Sequence, residues 1–426
     1  MNENNTPDFI RAASCTDDYD PNAMSVDSAR KYIRAFLKPI ALQESVHLRG
    51  ALGRVLAQDI ISPCNVPNHD NSAMDGYALN GADIPQQGLA TLKVVGTAFA
   101  GKSFEGNMGR GECVRIMTGA VMPQGADTVV IQEHVQADGD RITFDGNHKP
   151  GQNLRLAGED LKLGQVVLPV GHIVRPADLG LVASLGIGEV RVYRKLRAAF
   201  FSTGDELCSI GSQLQPGQVY DSNRYTLYGM LTRLGVEVID MGVVPDDPAQ
   251  LEQALLEAAQ NADVVLTSGG VSVGEADYMK ELLNKLGQVV FWKISMKPGR
   301  PLAYGKIGNA HYFGLPGNPV SVMVTFYQFV REALLVLMGQ ANPAPLPLLS
   351  VVCTEALKKA PGRTEFQRGI LHTDASGMWQ VRPTGHQGSG VLRSMSEANC
   401  FIVLPEASGN INAGEAVQVQ LLEGIV

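Results

Sequence analysis

Between residues 196 and 338 the sequence alternates short apolar runs with longer segments of helical period. The runs at residues 198–201, 236–243 and 264–267 each end in a polar loop, and a helical segment follows. Parallel neighbouring strands need a crossover of a dozen or more residues, usually a helix, and such crossovers are right-handed. This region therefore predicts the α/β fold class, as a doubly wound parallel-sheet domain.

Residues that favour helix N-termini mark where the helices of this domain begin. Asp247 followed by Pro248 predicts an N-cap with proline at the first helical position, for a helix to about Gln260. Asp221 or Ser222 caps an earlier helix that ends near Leu234. The remaining predicted elements are helices at residues 277–286 and 319–338 and strands near residues 289–294, 302–304 and 311–315.

The segment before this domain has a different pattern. Residues 46–192 are rich in glycine and proline, with short β-like runs and few helical stretches, which predicts small β-rich domains with long loops. The β-like runs lie at residues 92–95, 113–116 and 128–132, and residues 176–185 form the main helical interruption.

The two ends of the chain complete the predicted organisation. Residues 1–23 are predicted to be a disordered tail. A helix is expected at residues 25–37, with Ser25 as N-cap and with Ser28 and Arg30 facing outward. After a proline-rich linker at residues 343–347, alternating apolar runs predict a C-terminal β-barrel or sandwich.

Charge, cysteine and histidine usage limit the function classes. The 426 residues carry a formal net charge of −8, which argues against general nucleic-acid binding. The six cysteines are far apart and indicate reduced thiols, and the eight histidines form no zinc signature. No signal peptide is visible and no apolar run is expected to approach the length of a membrane span. We therefore expect a cytoplasmic protein that binds neither nucleic acid nor membrane.

Residues 96–103 have the sequence GTAFAGKS, which matches the P-loop pattern. A P-loop requires a helix to begin at its Lys-Ser pair, so that the helix N-terminus faces the phosphates. The residues that follow are glycine-rich and cannot begin a helix well. We therefore interpret this match as a turn.

Acidic residues follow several strands of the predicted parallel sheet. Glu206, Asp246 and Asp277 are expected at the carboxyl edge, where ligands bind in open α/β sheets. Three converging carboxylates would repel one another without a cation, and oxygen-only ligands suit Mg²⁺. The glycines Gly269 and Gly270 would let backbone N–H groups approach a phosphate. Alternatively, these residues are helix caps and loop polar groups on a structural sheet.

A second set of residues predicts an anion site on the same domain. Lys293, Lys297 and Arg300 cluster in a proline-stiffened loop that leaves a strand, where they could hold an oxyanion. Residues 315–319 (LPGNP) form a rigid strand-to-helix turn and a candidate ligand wall. The alternatives are solvated surface cations and an ordinary tight turn. Polar turns at residues 70–77, 115–119 and 384–389 are not, taken singly, evidence for a site.

Six motifs in chain order resemble those of the molybdopterin molybdenumtransferase family, the bacterial relatives of the gephyrin E domain. The resemblance extends from about Ala23 to the C-terminus. The motifs lie at residues 70–78 (DNSAMDGYA), 115–119 (RIMTG), 201–206 (FSTGDE), 268–277 (SGGVSVGEAD), 297–299 (KPG) and 315–321 (LPGNPVS).

The resemblance implies a specific activity and architecture. Members of the family insert molybdenum from molybdate into adenylylated molybdopterin and release AMP in a Mg²⁺-dependent step. Four domains are implied: a discontinuous domain I, a β-rich domain II, an α/β domain III of molybdopterin-binding type and a β-barrel domain IV. The corresponding residues are 24–63 with 156–195, 64–155, 196–346 and 347–426.

The resemblance also implies roles for individual residues. Glu206, Asp246 and Asp277 would handle metal and pyrophosphate, and cations of domains III and IV would hold molybdate and the pterin phosphate. The implied catalytic residues are Asp75, Thr118, Glu206, Asp246, Asp277, Lys293 and Lys297. The implied binding residues are Arg155, Gly269, Gly270, Ser272, Arg300, Pro316, Gly317, Asn318, Pro319, Arg363, Arg368 and Ser389.

The partners follow from the same resemblance. The active form would be a homodimer with a shared cleft, in which Asp75 and Thr118 face the third domain of the partner. Transient contacts with a molybdopterin adenylyltransferase and with acceptor molybdoenzymes are expected. Two alternatives stay open: an adenylyltransferase of the same pathway, and a scaffold that kept the fold without the chemistry.

Overall fold

The computed structural model describes residues 23–270, 276–340 and 342–422. Compactness divides the chain into two units. The β-rich unit comprises Ser45–Leu52 and Leu56–Arg191, and the α/β unit comprises Met1–Glu44, Gly53–Val55 and Val192–Val426. The disordered tail predicted for residues 1–23 falls almost entirely outside the described residues. The finer division into four domains stays a prediction.

The first helix, α1 (Val26–Phe36), confirms the predicted start, because the Ser25 side chain accepts a hydrogen bond from the backbone N–H of Ser28. The outward position predicted for Arg30 is wrong. Its guanidinium is half-buried and donates to the backbone oxygen and the side-chain oxygen of Gln328. Burial lowers the pKa of Arg30. The helical period of residues 25–37 does not show that a later helical segment, which carries Gln328, packs against the Arg30 side of α1.

The β-rich unit is built on a six-stranded sheet, as its short apolar runs predicted. The spatial order of that sheet is β7-β4-β6-β5-β9-β8, and only β5 and β6 pair in parallel. The elements up to the end of this unit are β1 (Gln43–His47), β2 (Ile60–Ile61), β3 (Asn71–Ser72), β4 (Gly76–Leu79), β5 (Leu89–Ala98), β6 (Glu112–Ile116), β7 (Thr128–Ile131), β8 (Gln136–Asp138), β9 (Arg141–Asp145), β10 (Leu154–Arg155), β11 (Val166–Leu168), α2 (Pro176–Ser184) and β12 (Glu189–Tyr193).

The P-loop match is a turn, as predicted. The strand β5 ends at Ala98, and Phe99 and Lys102 close a tight turn with two backbone hydrogen bonds. Gly101 has a φ of 78°, which suits glycine. No helix begins between this turn and β6.

The α/β unit contains the predicted parallel strands. Four of them, in the order β16-β13-β17-β21, pair in parallel, with helical crossovers between consecutive parallel strands. The elements are β13 (Arg197–Thr203), β14 (Leu207–Cys208), β15 (Val219–Tyr220), α3 (Ser222–Arg233), β16 (Glu237–Val244), α4 (Pro248–Asn261), β17 (Val264–Ser268), α5 (Ala276–Leu286), β18 (Gly287–Lys293), β19 (Met296–Lys297), β20 (Pro301–Ile307), β21 (Ala310–Leu315), α6 (Pro319–Thr325) and α7 (Arg331–Leu337).

The prediction of a parallel sheet needs one correction, at an edge. Strand β20 pairs antiparallel with β21, and the edge strand β18 pairs antiparallel with β20. Only two residues, Gly308 and Asn309, connect β20 to β21, which is too short for a crossover and forces an antiparallel hairpin.

Helices cover the main sheet on both faces. Phe201 of β13 packs in one buried cluster with Leu255 of α4 and Leu283 of α5. Successive strand residues face opposite sides, so the neighbouring strand residue Ser268 faces the other way, where its hydroxyl accepts from Asn223 of α3. This two-sided covering leaves the carboxyl ends of the parallel strands as the accessible edge.

One described helical stretch, Pro319–Leu337, reaches the length and composition of a membrane span, with a mean hydropathy of 1.5 over 18 residues. The prediction that no apolar run approaches this length was therefore wrong. However, 78% of that window is buried inside the protein. The stretch is continuous because a π-helical turn, Phe326–Val330, joins α6 to α7. Its apolar residues belong to the protein core.

The C-terminal region is a closed barrel rather than a sandwich. Its strands form the ring β23-β24-β22-β26-β25, and β25 returns to pair with β23. Strand β19, which contains Lys297, pairs in parallel with β23. The elements are β22 (Leu348–Cys353), β23 (Thr364–Thr373), β24 (Trp379–Pro383), α8 (Leu392–Glu397), β25 (Cys400–Leu404) and β26 (Ala416–Leu421).

Candidate active site

A cavity of 350 Å³ lies at the carboxyl edge of the parallel strands. We call it the strand-end cavity. Loops that follow β13, β17 and β21 and the start of α3 form its walls, as expected for an open α/β sheet. The lining residues are Thr203, Gly204, Glu206, Leu207, Val219, Tyr220, Asp221, Ser222, Asn223, Ser268, Gly269, Gly270, Gly317, Asn318 and Pro319.

Two of the predicted acidic residues lie on adjoining loops at this edge. Glu206 lines the cavity, and Asp246 follows the neighbouring strand β16. The hydroxyl of Thr203, in the cavity wall, donates to the Asp246 carboxylate, and the backbone N–H of Asp246 lies 3.4 Å from an Asp205 carboxylate oxygen. Both Glu206 and Asp246 are exposed.

The donor set suits Mg²⁺ without forming a closed cage. Asp277 lies in the first turn of α5, but its side chain lies outside the described residues. Among the side chains that the structure does describe, no three His, Cys, Asp or Glu residues converge to hold a metal ion. Mg²⁺ is commonly held by one or two carboxylates together with substrate phosphates and water. Glu206 and Asp246 are two carboxylates of the kind that such a site uses.

The glycine turn after β17 is required by geometry. Gly269 and Gly270 have φ values of 97° and 67°, which glycine adopts without strain. A Cβ atom on Gly269 would lie 2.3 Å from the backbone oxygen of Thr203, so no side chain fits there. The backbone of this turn therefore lines the cavity directly. Ser272, predicted as a binding residue in the same loop, lies outside the described residues.

A second cavity, of 390 Å³, is lined by three of the predicted cations. We call it the basic cavity. Two loops separated by many residues in sequence meet here, because β19 pairs with β23 of the barrel and the Val320 N–H donates to the backbone oxygen of Ser389. The lining residues are Lys297, Pro298, Gly299, Arg300, Pro301, Pro316, Gly317, Asn318, Ser321, Arg363, Gln387, Gly388 and Ser389.

The two cavities share a wall. Gly317 and Asn318, from the predicted turn after β21, line both of them, while Pro316 lines the basic cavity and Pro319 the strand-end cavity. The turn therefore places a glycine-lined, carboxylate-bearing cavity beside a cationic one. This arrangement suits a substrate that carries phosphates and lies next to an oxyanion.

Lys297 of the basic cavity forms an ion pair with a buried carboxylate, and sequence reasoning missed this pair. The Lys297 Nζ lies 3.5 Å from the carboxylate of Glu365, whose side chain is buried and also accepts from Gln367. Lys359 is buried, and its Nζ donates to the backbone oxygen of Ala360. Burial lowers the pKa of Lys359; the attraction of Glu365 raises it, and the positive charges of Lys297 and Arg363 lower it. The basic run at residues 358–363 was the available sequence signal.

Two of the predicted cations of the α/β unit line neither cavity. Arg368 is only 1% exposed, and its guanidinium donates to Ser394 Oγ at 3.0 Å and to the backbone oxygen of Gly388 at 2.9 Å. Burial lowers its pKa to about 10. Arg368 thus holds the loop that carries Ser389. Lys293 is the last residue of β18 and is half-buried.

In the β-rich unit, Asp75 and Thr118 are direct partners. One Asp75 carboxylate oxygen accepts from the Thr118 backbone N–H and from the Thr118 hydroxyl, both at 2.7 Å. These two hydrogen bonds lower the pKa of Asp75, so the ionised carboxylate is favoured. The next residue, Gly76, allows close strand packing, since a Cβ there would lie 2.1 Å from the Val130 backbone oxygen.

Arg155 lies near the same loop of the β-rich unit. It is exposed on β10, opposite Asn71 of β3 in antiparallel register. Two residues further on, the Ala157 N–H donates to the carboxylate of Asp70 at 2.7 Å. One polar surface of this unit therefore contains Arg155 together with residues of two predicted motifs.

The strand-end cavity also includes Asp221 and Asn223, which were not predicted as site residues. The sequence identified Asp221 only as a possible helix cap, and it is the N-cap of α3. Both side chains are buried yet line the cavity. The signal for them was weak, because a capping Asp and an Asn in the first turn are common without function.

Three family models match successive parts of the chain. "MoeA N-terminal region (domain I and II)" matches residues 24–186, "Probable molybdopterin binding domain" matches residues 199–335, and "MoeA C-terminal region (domain IV)" matches residues 350–422.

Relatives that carry one functional name align along most of the chain. A molybdopterin molybdenumtransferase of Haemophilus influenzae is 48% identical over 398 residues, covering 93% of this chain and 98% of the relative. One from Nostoc sp. is 36% identical over 384 residues, 88% of each chain. The crystal structure of a molybdopterin biosynthesis moeA protein from Pyrococcus horikoshii is similar, with a TM-score of 0.82 and 31% identity. That similarity covers 94% of this chain and all of the other.

Proposed function

Because the chain belongs to the family of molybdopterin molybdenumtransferases, which are enzymes of molybdenum cofactor biosynthesis, we propose that it inserts molybdenum from molybdate into adenylylated molybdopterin. AMP is released in the same Mg²⁺-dependent reaction. Its substrates are two anions, molybdate and a pyrophosphate-linked nucleotide.

The observation that carries this proposal is the pair of cavities that share Gly317 and Asn318. The strand-end cavity offers glycine backbone and the Glu206 carboxylate, which suits the pyrophosphate of adenylylated molybdopterin. The basic cavity offers Lys297, Arg300 and Arg363, which suits molybdate. A shared wall supports a reaction in which the oxyanion and the nucleotide-linked pterin are held side by side.

The chemistry of the step needs positioning and charge neutralisation more than a covalent nucleophile. Mg²⁺ held near Glu206 and Asp246 would neutralise charge on the phosphoanhydride as it is cleaved. The hydroxyl of Thr203 orients the Asp246 carboxylate. The cations of the basic cavity bind the oxyanion, and Arg368 fixes the loop that carries Ser389. The roles of Asp277, Ser272 and Lys293 stay predictions.

The proposal includes a homodimer with a shared cleft, in which Asp75, Thr118 and Arg155 act on the partner's cavities. The support is a set of exposed apolar side chains on the segment before α3 and on α3 itself. Monomeric proteins seldom expose several such side chains together. The residues are Ile210, Val219, Tyr220, Tyr225 and Tyr228.

Further partners and the compartment are part of the same proposal. A nucleotidyl-transfer enzyme must supply the adenylylated substrate, so transient contacts with a molybdopterin adenylyltransferase and with acceptor molybdoenzymes are proposed. The five cysteines in the described residues are free thiols, which supports a reducing compartment such as the cytoplasm.

Single-turnover AMP release tests the proposal. The purified chain is mixed with adenylylated molybdopterin in four reactions, with and without Mg²⁺ and with and without molybdate. AMP release that needs both ions, with formation of active cofactor, is expected. Nucleotide binding without AMP release under any condition would favour a scaffold instead. AMP transfer from ATP to molybdopterin would favour an adenylyltransferase.

A further inference from the structure

Glu365 of β23 is a buried acidic residue whose charged partner lines the basic cavity. Its side chain is 5% exposed, and its Oε1 lies 3.5 Å from the Lys297 Nζ. Three cations line this cavity, and none of its lining residues in the described part of the chain is acidic. A buried carboxylate is costly unless a cation or a hydrogen-bond donor lies close to it. The cation that stabilises Glu365 is thus one of the three that the cavity offers to an anion.

The carboxylate is held in place, whereas its partner is free to turn. Glu365 and Lys297 are direct partners in the pairing of β19 with β23. Gln367 Nε2 donates to Glu365 Oε2 at 3.1 Å and to the backbone oxygen of Lys358 at 3.0 Å, which fixes the carboxylate. The Lys297 side chain is 52% exposed and carries its ammonium on a flexible stem. Lys297 can therefore turn from Glu365 toward an anion without a change in the backbone.

A second lysine, Lys359, shares the charge of Glu365. Lys359 is 4% exposed, and its Nζ donates to the backbone oxygens of Ala360 at 2.7 Å and Ser408 at 3.3 Å. Burial lowers the pKa of Lys359, and the attraction of Glu365 acts in the opposite direction. Glu365 therefore keeps a cation that attracts it when Lys297 turns to another partner.

We propose that Glu365 is a positioning residue for oxyanion binding, because an oxyanion in the basic cavity must compete with it for the Lys297 ammonium. This inference rests on the proposed function, in which molybdate occupies that cavity. Glu365 lowers the affinity for the oxyanion and gives Lys297 a partner to return to when the oxyanion leaves.

Two effects of the Glu365 charge act in the same direction. The carboxylate attracts the ammonium that the oxyanion needs, and it repels an oxyanion in the cavity. Unit charges a few ångströms apart near a protein surface interact strongly enough to change an equilibrium constant by about ten-fold or more. Neutralising Glu365 should therefore strengthen oxyanion binding.

Equilibrium dialysis of molybdate against the intact chain tests this inference. Glu365→Gln keeps the size of the side chain and an oxygen that can accept, but it removes the charge. The molybdate affinity of this variant is expected to rise about ten-fold. A purely structural role would not produce this result, because the loss of a structural contact weakens binding or leaves it unchanged.

Glu355→Gln is the matched control. It changes the net charge by the same amount, but Glu355 is exposed in the barrel region and lines neither cavity. This variant should keep the wild-type affinity for molybdate.

The dependence on Lys297 is tested in a second background. Lys297→Met removes the ammonium and keeps an unbranched side chain. In that background Glu365→Gln should raise the molybdate affinity by no more than about three-fold, because the competition for the ammonium is gone. An equal gain in both backgrounds would overturn the inference, since Glu365 would then act on the anion without Lys297.

Glu365→Asp is a second variant in case Glu365→Gln does not fold. It keeps a negative charge near Lys359 but draws the carboxylate back from Lys297, so a smaller gain, about three-fold, is expected. Unchanged or weaker molybdate binding in the folded Glu365 variants would overturn the inference. Lys297→Met alone tests the proposed function separately, because wild-type affinity in that variant would show that molybdate does not bind in the basic cavity.

Discussion

Arg368 is a charged side chain with almost no exposure, and its hydrogen bonds explain why the fold tolerates it. The guanidinium bonds Ser394 and the backbone of Gly388, and its own backbone N–H donates to Gln387 at 2.7 Å. Two of these three bonds connect Arg368 to the loop of residues 384–389, and the bond to Ser394 connects it to α8. A residue that lines no cavity therefore decides the position of Ser389, which does.

Replacing Arg368 by lysine should destabilise the chain. Lysine cannot make both guanidinium bonds, so the free energy of unfolding should fall by about 2–3 kcal/mol. Denaturant unfolding measures this change. Arg393→Lys is the control, because Arg393 is exposed and its one ion pair among the described residues is with Glu397, so this substitution should cost below about 0.5 kcal/mol. Equal effects of the two variants would contradict the role given to Arg368.

The lowered pKa of Asp75 has a definite consequence for pH dependence. Its ionised form accepts from Thr118, so its contribution to stability is fully present above the unfolded pKa of about 3.9. That contribution is lost as the pH falls through the lower folded pKa.

Removing the Thr118 hydroxyl should raise the pKa of Asp75 toward its ordinary value. Thr118→Val keeps the backbone donor and the shape of the side chain, and Thr118→Ser keeps both hydrogen bonds as a control. A carboxyl NMR titration of Asp75 measures the pKa in each variant. An unchanged pKa in Thr118→Val would show that the hydroxyl bond does not favour the ionised form.

At the scale of elements, the parallel strands determine where the site lies. Strands β13, β16 and β17 end side by side, so the loops that follow them adjoin, although the strands end at Thr203, Val244 and Ser268 and are far apart in sequence. The turn after β17 approaches the backbone of β13 so closely that only glycine fits. The residues at the ends of these strands therefore also line the strand-end cavity.

Substituting Gly269 by alanine should damage both stability and ligand binding. The φ of 97° and the approach to the Thr203 oxygen predict a cost of about 1–3 kcal/mol in the free energy of unfolding. AMP affinity, measured by calorimetry, should fall as well. Gly229→Ala in α3 is the control, because a Cβ there has open space, and alanine should stabilise that helix by up to about 1 kcal/mol. If the Gly269→Ala variant binds AMP with the wild-type affinity, this turn is not part of the AMP-binding site.

At the scale of the whole molecule, the proposal of a shared cleft requires a second chain. The β-rich unit carries Asp75 and Thr118, and the α/β unit carries both cavities. Exposed apolar residues on α3 provide a candidate surface for the partner.

Charges placed on that surface should separate the dimer. Tyr225→Glu with Tyr228→Glu introduces two carboxylates three residues apart on α3, where both tyrosines are exposed. The mass in solution, measured by sedimentation equilibrium, should fall to that of one chain, and AMP release should be lost. Met378→Glu, at an exposed position in the barrel, should leave the mass unchanged. A dimer that survives the double substitution would place the interface elsewhere.

Elements with strong local signals were predicted closely. The helix after Asp247 begins with Pro248 at its first position, and α1 begins after Ser25, as predicted. The antiparallel edge of the main sheet was missed, although the two-residue connection between β20 and β21 could have indicated it. Strand direction depends on the length of each connection, which the apolar pattern of the strands does not encode.

The sequence by itself determined the local features of this protein: the period of each element, the helix caps, the glycine turns and the order of the motifs. These depend on interactions between residues that are near in the chain. Only the tertiary structure decided that Lys297, Arg363 and Ser389 line one cavity, that Arg368 is buried, and that Asp221 and Asn223 each bury an oxygen for which the described residues supply no donor. Burial and hydrogen-bond satisfaction arise from the packing of distant segments, and no local pattern encodes them.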